Sequence, residues 1–97
     1  MAYDPGAIDA TLAAAVGDEP ALIAELREAF LDSAQRALAM MIAAESAETW
    51  RQGAWRLKGL AASFGAVRLM ALASDGAAAP IGDGETIRRL RRAIDRL

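Results

Sequence analysis

Ala54-Trp55-Arg56-Leu57-Lys58-Gly59-Leu60-Ala61-Ala62-Ser63-Phe64-Gly65-Ala66-Val67-Arg68-Leu69 is the stretch whose reading decides the fold. With Trp50 just upstream, the residues Ala54, Leu57, Ala61 and Phe64 recur at steps of four and three. That is the repeat of one face of an α-helix. The spacing predicts a helix from Glu48 to Phe64. Gly65 should end it, because glycine adopts the left-handed conformation that closes a helix without a Cβ clash.

Upstream, Leu22, Leu26, Ala29, Ser33, Ala37, Met40 and Ala44 follow the same repeat, widened by Ile23, Phe30 and Met41. Glu25, Glu28, Asp32 and Gln35 fall on other faces. This predicts one long amphipathic helix over residues 21–44. Glu45-Ser46-Ala47-Glu48 is the connection, short enough that the two helices should run antiparallel. Asp18-Glu19-Pro20 is a helix start, with an acid at the cap and proline in the first turn. Before it, Asp4-Pro5-Gly6 signals a turn, and Ala7 to Val16 a short helix closed by Gly17.

Downstream, a fourth helix from Ala66 to Ser74 carries Val67, Leu69, Met70, Leu72 and Ala73, with Asp75-Gly76 as its exit. Ala77 to Gly84, with Pro80 and Gly82, is a loop. Asp83 to Leu97 forms the last helix, with Ile87, Leu90, Ala93 (or Ile94) and Leu97 inward. The expectation is a single all-α domain over residues 1–97: an up-down four-helix bundle with a short extra N-terminal helix.

Composition agrees and narrows the function. Hydrophobic residues make up 55% of the chain and aromatics only 5%, with alanine prominent, which favours closely packed helices over strands. The net charge of −2 gives no global attraction to nucleic acid or an anionic membrane. With no cysteine there are no disulfides or thiolate metal sites, and a reducing cytoplasm is the expected compartment. The opening MAYDPGAID lacks the basic and apolar segments of a signal peptide, and no apolar run approaches the ~20 residues that span a bilayer. There is also no histidine, which removes the commonest general base and zinc ligand. No Gly-rich phosphate loop is present, and Asp83-Gly84-Glu85 is too short for a calcium loop. No cofactor, no metal and no enzymatic activity are expected.

The central segment resembles the histidine-phosphotransfer (HPt) family. Members carry a helix with His-x-Leu-Lys-Gly, then small residues, a glycine and a leucine. Leu57, Lys58 and Gly59 match, followed by Ala61, Ala62, Ser63, Gly65 and Leu69, and Leu26 to Ala34 is similar to the family's second helix. The departure is that Trp55 stands at the phosphoacceptor position. An indole cannot replace imidazole there, because its nitrogen lone pair belongs to the aromatic system. The resemblance implies a degenerate member that binds a response-regulator receiver domain or a histidine kinase without carrying a phosphoryl group. It also implies that Lys58 faces the phosphoryl group and that Gly59 leaves room for the partner.

Spacing locates the face independently. If the Trp50 to Phe64 stripe points inward, Trp55 lies about 140° from the core direction, Gly59 near ~180°, Ala62 near ~120°, Arg51 near ~100° and Lys58 near ~80°. Arg51, Trp55, Lys58, Gly59 and Ala62 are therefore the candidate partner-binding face. Glycine inside a helix costs about 1 kcal/mol relative to alanine, so an outward Gly59 points to something outside that needs the space. Gly53, nearer the core, is explained by close helix packing. Lys58 is the only lysine among eleven basic residues. Trp55 has two placements: an exposed interface anchor, or cover by residues 1–16.

Two other readings stand beside this one. The bundle could self-associate with Trp55 buried in a homodimer, so the chain is expected as a monomer or weak homodimer. A helix-turn-helix reading of residues 60–67 would leave Arg68 as the one cation of the following helix, too few for DNA. Arg88, Arg89, Arg91, Arg92 and Arg96 make the last helix basic. Cations there complement its dipole, or form a patch for an acidic partner.

Overall fold

The computed structural model describes residues 5–17 and 19–97, with side chains described from Ala10 onward. They form five helices: α1 Pro5–Val16, α2 Pro20–Ile42, α3 Ala47–Ser63, α4 Val67–Ala77 and α5 Gly84–Asp95. No strand occurs among the described residues, so the class is all-helical. Among them, no helix is long and apolar enough to cross a membrane.

Local chemistry sets the helix ends. Ser46 is extended, and its hydroxyl accepts from the Thr49 amide at 3.1 Å, so α3 begins inside the stretch expected to be the connection. At the other end Gly65 has φ 72. There the Ala66 amide donates to the Ala61 carbonyl at 2.8 Å and the Gly65 amide to Ala62 at 3.4 Å, closing α3 in a Schellman motif. Gly17, φ 79, follows α1 as expected. The Asp83 carboxylate accepts from the Thr86 hydroxyl at 2.7 Å and the Thr86 amide at 3.0 Å, capping α5. These two bonds hold its carboxyl below the ordinary aspartate range.

The N-terminal expectations fare differently. Pro5 and Gly6 lie within α1 rather than in a turn, and Asp4 of that expected turn is outside the described residues. Pro20 opens α2 in its first turn, but Glu19 at the cap makes no side-chain hydrogen bond. Asp18, the other acid of that expected cap, also lies outside the described residues.

One buried cluster joins the helices. From α3 it takes Trp50, Ala54, Leu57 and Ala61; from α2, Phe30, Ala34, Ala37, Leu38 and Met41. Leu69, Ala73 and Ala77 of α4, and Leu90, Ala93 and Ile94 of α5, complete it. The α3 stripe is as expected. On α2 the core face is rotated from the expected one: Ala29 is exposed and Leu22 is 39% exposed, while Phe30 and Met41 are the centre. Bulk decides this. Phe30 stacks on Phe64 with ring centroids 4.6 Å apart, and alanines on either side of the helix carry little preference.

Helix α3 runs antiparallel to α2 and to α4. Phe30, midway along α2, meets Phe64 at the end of α3, while Met41, late in α2, meets Gly53. Trp50, early in α3, bonds to Gly76, late in α4. Each helix from α2 to α5 packs on two others, in the closed order α2–α3–α4–α5, and α1 lies on α2.

Gly76 corrects an expectation. The Asp75-Gly76 pair does not end α4, which continues to Ala77. Gly76 is buried, and a Cβ there would meet Thr86 Cγ2 at 3.0 Å. Its carbonyl accepts from the Trp50 indole Nε1 at 2.9 Å and from the Ala79 amide at 3.1 Å. Four residues on stands Pro80, which has no N–H to donate. The proline ends the helix, and the Gly76 carbonyl, without an i+4 amide, is bonded by the Ala79 amide and the Trp50 indole instead.

Replacing Trp50 by phenylalanine leaves that carbonyl short of its buried donor and is expected to destabilise the fold by about 1–3 kcal/mol in urea unfolding. Gly53→Ala is expected to destabilise too, by about 1–3 kcal/mol, despite alanine's better helix propensity. Its Cβ would stand 2.6 Å from Met41 Cγ and 3.1 Å from the Ala37 carbonyl oxygen.

Candidate functional site

The packing of α3 fixes which residues it presents. Gly53 lets the α3 backbone close on Met41 and Ala37, and Trp50 is tied to α4. With both on the inner side, the opposite side of α3 faces outward. Arg51, Trp55, Gly59 and Ala62 are all exposed, and Lys58 is half-buried beside them. All five residues of the expected face are thus brought to one side of one helix.

Trp55 is 49% exposed, although Trp50, five residues earlier, is 1% exposed. The two tryptophans are the same residue type on opposite faces, one structural and one presented. Cover of Trp55 by the N-terminal segment is not what the described residues do: α1 packs on α2 and does not border α3. Residues 1–4 and the side chains of residues 5–9, the rest of that expected cover, lie outside what the structure describes.

Lys58 lies with its Nζ 4.7 Å from the centroid of the Trp55 ring. This is a cation–π contact between residues one helical turn apart, worth about 0.5–1 kcal/mol at an exposed site. It holds the indole against the helix and keeps the ammonium at the centre of the face. The spacing of three between Trp55 and Lys58 already permitted this pairing, which the sequence reading did not draw. Also missed was Val67, assigned to the stripe of the fourth helix but 68% exposed at the first position of α4, beyond the turn that closes α3.

Helix α3 carries more cations than acids. Along α3 stand Arg51, Arg56 and Lys58 against one acid, Glu48, in its first turn. No ion pair neutralises any of the three cations among the described residues. Around Gly59 the surface is open: a Cβ built there meets nothing within 4 Å. No fold contact therefore requires glycine at this position, in contrast to Gly53 and Gly76. Chemically, the site offers an aromatic plane, an ammonium and a flat stretch of backbone.

Comparison of the chain with family models, with curated proteins and with solved structures finds no match in any of the three.

Gly59→Ala is expected to stabilise the isolated protein by about 1 kcal/mol, since helix propensity improves with no steric cost. Trp55→Ala should leave stability within about 1 kcal/mol of the parent, whereas Trp50→Ala should lose about 3–5 kcal/mol. Paired thermal or urea melts check all three. A large loss from Trp55→Ala would show that the indole supports the fold.

Proposed function

We propose that the chain is a degenerate histidine-phosphotransfer domain that docks receiver domains or a histidine kinase without carrying a phosphoryl group. In this reading α2 to α5 form an up-down four-helix bundle, with α1 as the short extra helix. The antiparallel order of the packed helices supports that architecture.

The observation that carries the functional reading is Gly59. It lies mid-helix on the outer face with open space around its Cα, next to Leu57 and Lys58 in the order that resembles the family motif. A glycine that the fold does not use, kept where a partner helix would approach, is what a docking surface needs. Trp55 at the phosphoacceptor position removes the transfer chemistry and adds an aromatic anchor, the residue type enriched at interface hot spots. Arg51, Arg56 and Lys58 suit a partner surface bearing carboxylates or a phosphoryl group, and steer it by charge. Such a protein acts as a competitor or scaffold in a phosphorelay of the cytoplasm.

Titration of isotope-labelled protein with receiver domains from the same organism tests this. The expected result is saturable shifts of the Trp55 indole and of the Arg51, Lys58, Gly59 and Ala62 amides, with binding weakened roughly tenfold or more by Trp55→Ala, the size of a ≥1.4 kcal/mol hot spot. Gly59→Ala should weaken binding while stabilising the fold. Shifts confined to other faces, or none with any receiver or kinase, contradict the proposal. Self-association that disappears in Trp55→Ala would instead assign the face to a homodimer.

A further inference from the structure

Two charged ladders on different helices share one spacing. Arg89, Arg92 and Arg96 follow one another on α5 at steps of three and four. Glu25, Glu28 and Asp32 do the same on α2. All six side chains are exposed.

The arginine ladder lines a groove of ≈ 330 Å³ on the α4–α5 seam. Arg68 of α4 adds a fourth guanidinium, and Leu72 and Ala93 supply its apolar part. Glu85 at one end pairs with Arg88 and Arg89, at 2.6 Å and 2.9 Å. Arg68, Arg92 and Arg96 have no ion-pair partner among the described residues. Helix-dipole compensation accounts for cations in the last turn of α5, but not for Arg68 on a neighbouring helix facing the same groove. On α2, Glu25 and Glu28 are likewise unpaired among the described residues, and Asp32 meets Arg36 in an exposed pair at 3.0 Å.

The two ladders cannot meet within one molecule. Helical geometry of about 100° per residue puts Glu25, Glu28 and Asp32 about 170° from the buried Phe30, Ala34, Ala37, Leu38 and Met41 of the same helix. The side of α5 that borders α2 carries Arg91, Ile94 and Asp95 instead.

We propose that the α4–α5 groove takes the acidic ladder of a second copy of this chain. Both ladders span seven residue steps, about 10.5 Å, so three carboxylates face three guanidiniums in either direction to within one residue's rise of about 1.5 Å. Ala21, Ala24 and Ala29 beside the acids are exposed and small, so the α2 backbone can approach the groove closely. Arginine suits this role, since its planar fork takes carboxylates in bidentate pairs. Because the acidic ladder points away from the core on α2 and the groove lies on the α4–α5 seam, the contact is head-to-tail. Association therefore continues past two copies as concentration rises. Exposed ion pairs are individually weak and screened by salt, so the assembly is weak and salt-sensitive.

Sedimentation equilibrium across a concentration series tests this. At low ionic strength the average mass should rise with concentration, and it should fall to the monomer in about 0.5 M salt, where screening is short-ranged. Arg92→Glu/Arg96→Glu and Glu25→Arg/Glu28→Arg should each be monomeric alone. Mixed in equal amounts they should associate again, because each supplies the charge that the other lacks. Arg92→Gln/Arg96→Gln, with helicity checked by circular dichroism, guards against a folding defect at the end of α5. A wild type that stays monomeric at low salt overturns the proposal, as does association that survives both reversals. Loss of association in Trp55→Ala with the ladders intact assigns self-contact to the other face and also overturns it. So does a wild type that does not self-associate but retains single-stranded DNA through Arg92 and Arg96.

Discussion

The close approach of α3 to α2 at Gly53 is the constraint on which the rest depends. There is room for a hydrogen at that Cα and for little else, with Met41 Cγ 2.6 Å from where a Cβ would stand. That contact fixes both the distance and the rotation of α3. Once Gly53 faces α2, Ala54, Leu57 and Ala61 fall into the core and Trp50 reaches the Gly76 carbonyl. Trp55, Gly59 and Ala62 are left outside by the same geometry. The presented face is therefore a consequence of the packed one, and any change that rotates α3 displaces both together.

Three glycines on α3 and α4 show how one residue type serves different physics. Gly53 is buried where Met41 would clash with a Cβ and Gly76 where Thr86 would sit tightly against one, and their helix-propensity cost of about 1 kcal/mol each is offset by tighter packing. Gly59 incurs the same cost with nothing against it. Lys58, seated over Trp55, keeps one cation at the middle of the exposed surface instead of free in solvent. The combination of order and unused space separates this face from an ordinary solvated helix side, and it is the basis of the docking function we propose.

Much of this was legible in the sequence because α3 is strongly patterned. Trp50, Ala54, Leu57, Ala61 and Phe64 differ enough from Arg51, Trp55 and Gly59 to set the helix phase, and Gly65 marks its end. α2 was less legible. Its alanines occur on several sides, so the period was clear while the phase was not, and only the partners of Phe30 and Met41 resolve it. Gly76 misled for a related reason. After an aspartate it resembles a helix exit, and its burial against Thr86 and Leu90 is a tertiary fact. The true stop, Pro80, was already visible, but its link to Trp50 through the Gly76 carbonyl joins residues 26 positions apart. The exposure of Trp55 likewise depended on where α1 lies, which local spacing does not encode.

The proposed function treats the α3 face as a docking surface lacking only its nucleophile, and such a surface should regain chemistry when the nucleophile is returned. The decisive measurement is phosphoryl transfer from a phosphorylated receiver domain to the Trp55→His variant, read as acid-labile label on this chain. The proposed function predicts label on Trp55→His and none on the parent, with a receiver that binds both. A variant that stays folded and binds the receiver through the α3 face, yet never acquires label, would contradict the view that this face is a phosphotransfer site lacking only its histidine.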